Sequence, residues 1–423
     1  MSDTKTMQPN THDSRLTTHD STVVLVYSGG LDTSVCIPLM REEYGFDHIV
    51  TVTVDVGQPE DDIKQAEERA KQFGTEHYTV DAKAEFVEQY CWPAVKANGD
   101  YQGYPISTSI ARPLIALKAV EIAKKVGAKA YAHGCTGKGN DQFRLEYVMR
   151  TLTPDLEVIA PMREGRLLPN GKREPWTRSE EIDYCAAHGI DISITKTKIW
   201  SVDENVWGRS IEGGHLEEPN YAPPEEIFKW TRSIADSPSA GVTVKIGFEN
   251  GEPVSIDGQV LPAMELATRI HKLAGDHGVG RVDIMEDRML GLKVRENYEC
   301  PAAVVLLAAH HALETLVCTQ AELKFKKAVD QEWGELAYKG LWFDPLKEDL
   351  EAFINNIQPR VSGTVTLRLQ KGNCIVVGRE SKWALYNEDL ASFDSKTFDQ
   401  SESVGIVKTH GMQSRMYWSL KNK

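Results

Sequence analysis

The sequence predicts an α/β fold. A doubly wound parallel-sheet domain occupies residues 21–185, an α+β domain follows over 186–395, and a helical tail closes the chain at 396–423. Three observations carry this expectation. Strand-like and helix-like segments alternate with short links from residue 22 to about 185, the pattern of βα units in a parallel sheet. The first strand is a continuous apolar run, VVLVY at 23–27, as expected for a strand covered on both faces. After about residue 186 this alternation stops and hairpin signals and long apolar helices take over.

Taken in order, the run at 23–27 ends at SGGLDTS (28–34), and a helix is expected from about 33 to 44, stopped by Gly45. Pro38 falls inside that helix, where it is tolerable only near the first turn. A strand at 49–54, a charged amphipathic helix at 60–73 ended by Gly74, a short strand at 77–80 and a helix beginning at 84–90 follow. A long helix is expected at 107–126, stopped by Gly127, and then a strand at 130–133. Thr177 and Glu180 have capping-box spacing before a helix that ends near His188 and Gly189. In the second domain Asn250-Gly251 joins strands at 242–248 and 253–256. Helices are expected at 263–274, closed by Gly275, at 301–318 and at 321–338, and a second hairpin turns at 371–373 between 365–369 and 374–377. The tail at 404–420 carries Met412, Met416, Tyr417 and Trp418 among basic residues, and is expected to dock either on its own chain or on another subunit. The first 20 residues are polar and aperiodic and read as a disordered lead-in.

Composition narrows the function class. A chain of 423 residues is too long for one ordinary core. With 41% apolar and 26% charged residues it has globular composition, and no apolar run is long enough for a membrane span. The formal net charge of −14 argues against a protein whose main task is gripping nucleic acid. The seven cysteines are scattered without a CxxC, the pattern of buried free thiols in a reducing cytoplasm rather than a zinc site.

Chemistry is expected at the carboxyl ends of the parallel strands, after residues 27, 54 and 133. SGGLDTS sits between a strand and a helix, where the helix's first N–H groups are unpaired and its dipole favours an anion. Gly29 and Gly30 allow close backbone approach, while Ser28, Thr33 and Ser34 supply hydroxyls. Asp32 is an acid at an anion site, which makes sense if it meets a cation such as Mg²⁺ or caps the helix. The stretch is neither a Walker A loop nor a GxGxxG turn. A second cluster, HGCTGKGNDQFR at 133–144, follows another strand. Its glycines, Lys138, Thr136, Asn140, Asp141 and Arg144 bring both charge signs into one loop, which suits a zwitterionic substrate. His310, His311 and Glu314 have metal-like spacing, but on an apolar helix the structural reading is favoured.

SGGLDTS resembles the pyrophosphatase loop of the N-type ATP pyrophosphatases. With HGCTGKGNDQFR it is similar to the argininosuccinate synthase family. STSIARP (107–113), WSVDEN (200–205), GVGRVDIMEDR (278–288), YECPA (298–302) and GRES with LYNE (378–381, 385–388) resemble further motifs of that family, in order, from about residue 23 to the tail. Cys135 departs from the pattern, standing where the family commonly has alanine.

The resemblance implies an adenine nucleotide alpha hydrolase-like domain joined to a synthetase domain. It implies an enzyme of arginine biosynthesis, using ATP as substrate with Mg²⁺ to join L-citrulline and L-aspartate with release of AMP and pyrophosphate. It further implies ATP contacts at Val26, Tyr27, Ser28, Gly29, Gly30, Leu31, Asp32, Thr33, Ser34, Val54 and Gly134. Aspartate contacts are implied at Thr136, Asn140 and Asp141. Citrulline contacts are implied at Tyr104, Ser109, Asn140, Arg144, Ser201, Ser210, Glu286 and Tyr298. For Ser109, Ser210, Glu286 and Tyr298 the residues alone read as structural, and only the resemblance makes them candidates. Arg112 is open between substrate contact and structural pairing. A cytoplasmic homotetramer, with no nucleic-acid or membrane partner, is the implied setting. The alternatives are another adenylating member of the loop family, such as a tRNA thiolase, and a non-catalytic ATP sensor of the same fold.

Overall fold

The computed structural model describes residues 21–189 and 200–423; the stretch expected to be a disordered lead-in lies outside the described residues. The first domain is built on five parallel strands: β1 (Thr22–Val26), β2 (His48–Asp55), β3 (Glu76–Asp81), β4 (Ala130–His133) and β5 (Glu157–Ile159). Their spatial order is β3-β2-β1-β4-β5, so the chain winds one way from β1 and then returns to β1's other side. Val23, Leu25 and Tyr27 belong to one buried cluster and Val24 to another, which is why β1 is apolar without alternation.

Five helices flank this sheet: α1 (Leu31–Glu42), α2 (Glu60–Gln72), α3 (Ser107–Val126), α4 (Asp141–Leu152) and α5 (Arg178–Ala187). Between β3 and α3 the expected helix forms as one helical run, Lys83–Phe86, Val87–Cys91 and Trp92–Lys96, whose middle turn is π-helical. The Thr177–Glu180 capping box forms as expected. Pro38 corrects the reading of α1. The helix begins at Leu31, so the proline lies two turns in and removes the bond to the Ser34 carbonyl, at a cost of about 3 kcal/mol. Val35, Ile37, Leu39 and Met40 are buried on either side of it, each contributing roughly 1.5–3 kcal/mol, which outweighs that cost.

The second domain holds two antiparallel sheets. One contains both expected hairpins: β8 (Val242–Glu249) with β9 (Glu252–Ile256), and β13 (Gly363–Gln370) with β14 (Asn373–Glu380). The other is a four-stranded sheet that the sequence reading did not anticipate: β6 (Ser201–Glu204), β7 (Arg209–Glu212), β11 (Arg281–Asp287) and β12 (Lys293–Glu299), in the order β11-β12-β7-β6. A short strand β10 (Gln259–Val260) edges the first sheet. Helices α6 (Ala263–Asp276), α7 (Pro301–Val317), α8 (Gln320–Tyr338) and α9 (Pro345–Ile357) complete the domain. Gly275 does not close α6 as expected. It lies within the helix, where a side chain would strike the Trp230 carbonyl.

The chain ends in two helices, α10 (Ser403–Thr409) and α11 (Met412–Lys421), without a buried residue in either. Among the described residues no helix is long and apolar enough to cross a membrane, and all seven cysteines are free. His310 and Glu314 belong to a buried polar network rather than a metal site: His310 meets Asn98 and Gln358, and Glu314 pairs with Lys326.

Candidate functional site

A cleft of about 1130 Å³ opens between the two domains, at the point where the parallel strand order reverses. Its floor is the loop after β1. Gly30 stands at the N-cap of α1 with no side-chain cap, so the first-turn N–H groups remain available. The loop is tied by its own hydroxyls: Ser28 Oγ accepts from Gly30 N at 3.2 Å and meets Thr33 Oγ1 at 3.2 Å, and Thr33 Oγ1 donates to the Gly30 carbonyl. Gly29 has φ of +72°, and a Cβ there would lie 2.7 Å from the Ala66 Cα. The Gly29 carbonyl accepts from Arg69, which reaches in from α2.

The second wall is the loop after β4. Gly134 packs so closely on α1 that a Cβ would stand 2.9 Å from Thr33 Cγ2 and 3.0 Å from Thr33 N. His133 Nδ1 accepts from Cys135 N, which leaves its Nε2 proton for Glu146. Glu146 also receives Arg150 and Arg163; these partners overcome its burial and hold its carboxyl at about 2. Gln142 donates to the carbonyls of Gly137 and Gly139 and so pins the glycine-rich loop to α4.

Asp141 lies between two guanidinium groups. Arg112 Nε donates to its Oδ2 at 2.9 Å and Arg144 Nη1 to its Oδ1 at 3.0 Å. Burial pushes the Asp141 carboxyl up, but the two arginines outweigh it and the net shift is downward. Its side chain keeps 34% exposure, leaving an open edge toward the cleft. Arg112 lines the cleft and also bonds Asp203 of β6, so it bridges carboxylates of the two domains.

The third wall is the unanticipated antiparallel sheet. Tyr298 and Glu296, two residues apart on β12, line the cleft on one strand face. Tyr298 donates to Glu286 Oε2 at 2.6 Å and stacks on Tyr104 with ring centroids 4.0 Å apart. Tyr104 is fixed in turn by Thr108 N, which donates to its hydroxyl at 2.7 Å. Arg288 bridges Glu212 and Glu296 at 2.6 and 2.7 Å. Burial, then the charge of Glu212, pushes the Glu296 carboxyl well above the usual range.

The cleft therefore gathers Val26, Tyr27, Ser28, Gly29, Gly30, Leu31, Asp32, Thr33, Val54 and Gly134 from the first set of candidates. It also gathers Thr136, Asn140, Asp141, Tyr104, Arg144, Ser201, Ser210, Glu286 and Tyr298. Two candidates are not on its wall. Ser34 is fully buried with its hydroxyl 3.1 Å from that of Tyr27, and Ser109 is fully buried with its Oγ unpartnered. Glu286 is buried at 3% exposure. Glu296, Glu212, Arg288 and Arg178 line the cleft and were not among the candidates. The strand period alone could have brought in Glu296, two positions before Tyr298.

Asp32 does not cap α1, since Gly30 holds that position without a side-chain bond. Its carboxyl faces Glu181 of α5, and burial raises both pKa values. Among the described residues no group of three or more potential metal ligands is gathered. One or two carboxylates beside a phosphate-binding turn is nonetheless the donor set with which Mg²⁺ is ordinarily held on a nucleotide.

The comparisons agree over nearly the whole chain. The family model described as arginosuccinate synthase N-terminal HUP domain matches residues 22–191, and that of the arginosuccinate synthase C-terminal domain matches residues 200–417. A protein of Methanococcoides burtonii named argininosuccinate synthase is 58% identical over 395 residues, 93% of this chain and 97% of the relative. Proteins of the same name from Methanosarcina barkeri and Methanocaldococcus jannaschii are 57% and 55% identical, each over 95% of this chain and over 99% and 98% of their own lengths. The parallel-sheet domain, the synthetase domain and the cleft between them thus belong to a chain of the argininosuccinate synthase family.

Proposed function

We propose that this cleft condenses L-citrulline with L-aspartate at the expense of ATP. The observation that carries the reading is the convergence, in one cleft, of an anion-binding turn after β1 with a mixed-charge loop after β4 and the Glu286–Tyr298 wall. The turn would hold the β,γ-phosphates through first-turn N–H groups and the hydroxyls of Ser28 and Thr33. Val54 and Gly134 would border the nucleotide. Arg144, Tyr104, Ser201, Ser210, Glu286 and Tyr298 would hold citrulline, and Thr136, Asn140 and Asp141 aspartate. Ser34 and Ser109 would act from behind the wall, Ser34 through its hydroxyl contact with Tyr27. Mg²⁺, with Asp32 on its side of the site, would neutralise charge on the departing pyrophosphate.

In the first step the ureido oxygen of citrulline attacks the α-phosphorus, the bond to the β-phosphate oxygen breaks, and a citrullyl-adenylate forms. In the second the aspartate amine attacks the former ureido carbon. The carbon–oxygen bond breaks, AMP leaves with that oxygen, and the amine gives up a proton. The cleft contributes position and charge: three charged molecules are aligned between two domains, away from bulk water.

The test is product identity. Purified protein with ATP and Mg²⁺ is expected to sustain turnover of ATP to AMP and pyrophosphate only when both amino acids are present. ADP and phosphate, or AMP formed with tRNA and a sulfur donor, would overturn the reading. The two alternatives are not favoured, because the family match extends through the synthetase domain, which neither a thiolase nor an ATP sensor would require.

The same reading places the enzyme in the cytoplasm, where seven free thiols stay reduced. It also makes the chain one subunit of a homotetramer. Phe393, Ile406, Val407, Tyr417, Trp418 and Leu420 are each more than half exposed on the C-terminal segment, an apolar surface that a second copy would cover. Deleting residues 403–423 is expected to lower the assembly's mass in sedimentation velocity to monomer or dimer. An unchanged number of chains per particle would remove the tail from the interface.

A further inference from the structure

We propose that Tyr338, at the end of α8, is a positioning residue that holds the citrulline and aspartate subsites in register. The inference rests on the reading of the cleft given above. Tyr338 is fully buried and is not on the cleft wall, yet it touches three residues that are. Its hydroxyl accepts from Asn140 Nδ2 at 2.8 Å and donates to Glu286 Oε1. Its backbone carbonyl accepts from Arg144 Nε at 2.8 Å, and its ring lies beneath the Arg144 guanidinium at 4.9 Å. Burial and the neighbouring Glu286 push the phenol's pKa far up, so the proton stays on oxygen and the donor role is retained.

Each contact removes one degree of freedom from a substrate-facing group. The Asn140 carboxamide has its Oδ1 on Met289 N at 3.1 Å and its Nδ2 on Tyr338, which fixes the amide's orientation. One N–H and one lone pair remain for ligand. Glu286 is clamped by two phenols, Tyr298 on Oε2 and Tyr338 on Oε1. Arg144 spends Nε on the last turn of α8, where a helix C-terminus favours a cation, and one Nη1 proton on Asp141. Its other donors stay free for a carboxylate. Tyr338 is itself held by Tyr101, stacked with ring centroids 3.7 Å apart and planes 9° apart. One hydroxyl from the synthetase domain thus sets Asn140 of the nucleotide domain against Glu286, and a shift of either would be felt by both amino acids.

The test is Tyr338→Phe, which keeps the stack, the ring beneath Arg144 and the backbone carbonyl, and deletes one oxygen. With the wild type active on both amino acids, the variant is expected to raise the KM of citrulline and of aspartate together by about tenfold or more, since it unpairs a carboxylate and an amide. The KM of ATP should stay within about twofold, because nothing on the β1 turn touches Tyr338. Tyr101→Phe, which loses only a bond to the Asp287 carbonyl, should leave all three unchanged. Citrulline titration calorimetry on the folded variant repeats the measurement without turnover. Unchanged amino-acid KM values overturn the proposal. So does a rise in only one of them, or an equal rise in all three with a lowered melting temperature, which would mark a scaffold role. A wild type inactive on citrulline and aspartate would instead sink the underlying functional reading, and this inference with it.

Discussion

Gly134→Ala is expected to reduce kcat/KM for ATP by at least about a hundredfold, the loss typical of a displacement near 1 Å in a reacting group. The backbone at Gly134 does not need glycine for its φ; the constraint is contact alone. An added Cβ would meet Thr33 Cγ2 at 2.9 Å, Thr33 N at 3.0 Å and the Asp32 carbonyl carbon at 3.2 Å, and two of those three atoms are backbone. Relief must come from moving β4's loop away from α1 or tilting the first turn of α1, and either displaces the donors that would hold the phosphates. The stability cost of such overpacking is about 1–3 kcal/mol, so the variant should remain folded. Steady-state kinetics with ATP varied, beside a melting curve, checks this. An alanine variant with wild-type ATP kinetics would show that the contact between the two loops does not position the nucleotide.

The parts of this architecture that were legible in the sequence are those set by local rules. The apolar run ending in SGGLDTS, the capping residues, the Asn250-Gly251 turn and the glycine after α3 each act over a few residues, so pattern and turn chemistry suffice. The sheet of β6, β7, β11 and β12 was missed because its strands do not alternate cleanly. RVDIMED and KVRENYE carry charges on both faces, since one face lines a polar cleft and Glu299 is buried on a hydrogen-bond cluster with Arg209, Trp230 and Thr231. Pro38 was misjudged for the opposite reason, since only the depth of burial around α1 shows what offsets it. At the site, the candidates that the residues themselves suggest lie in two runs, 28–34 and 133–144, and the scattered ones rest on the family resemblance. Tyr338, Arg112 and the Asp32–Glu181 pair act through contacts far apart in the chain, 198 residues in the case of Asn140 and Tyr338, which no single-sequence spacing encodes.

That long-range pairing changes what removal of the Asp141 charge should do. From sequence alone, Asp141→Asn is expected to weaken aspartate use and spare citrulline adenylation. The structure adds that Asp141 neutralises both Arg112 and Arg144, and that Arg144 is one of the citrulline candidates. An asparagine can still accept a hydrogen bond, but it leaves two partly buried guanidinium groups without their shared anion. Removing one partner of a hydrogen-bonded charge pair with a bound ligand, here the aspartate ammonium, costs about 3–4 kcal/mol of binding, so overall synthesis should fall by roughly a hundredfold to a thousandfold. Citrulline-dependent adenylation, followed as pyrophosphate exchange into ATP without aspartate, should fall by only about tenfold, comparable to losing one charged hydrogen bond, because Arg144 keeps its bond to the Tyr338 carbonyl and its ring contact. Arg112 retains Asp203, so the domains stay bridged. The unequal loss separates the roles: Asp141 would face the aspartate amine directly and reach citrulline only through Arg144. Equal losses in exchange and synthesis would assign Asp141 to the arginines alone and leave the aspartate ammonium to be received elsewhere in the cleft.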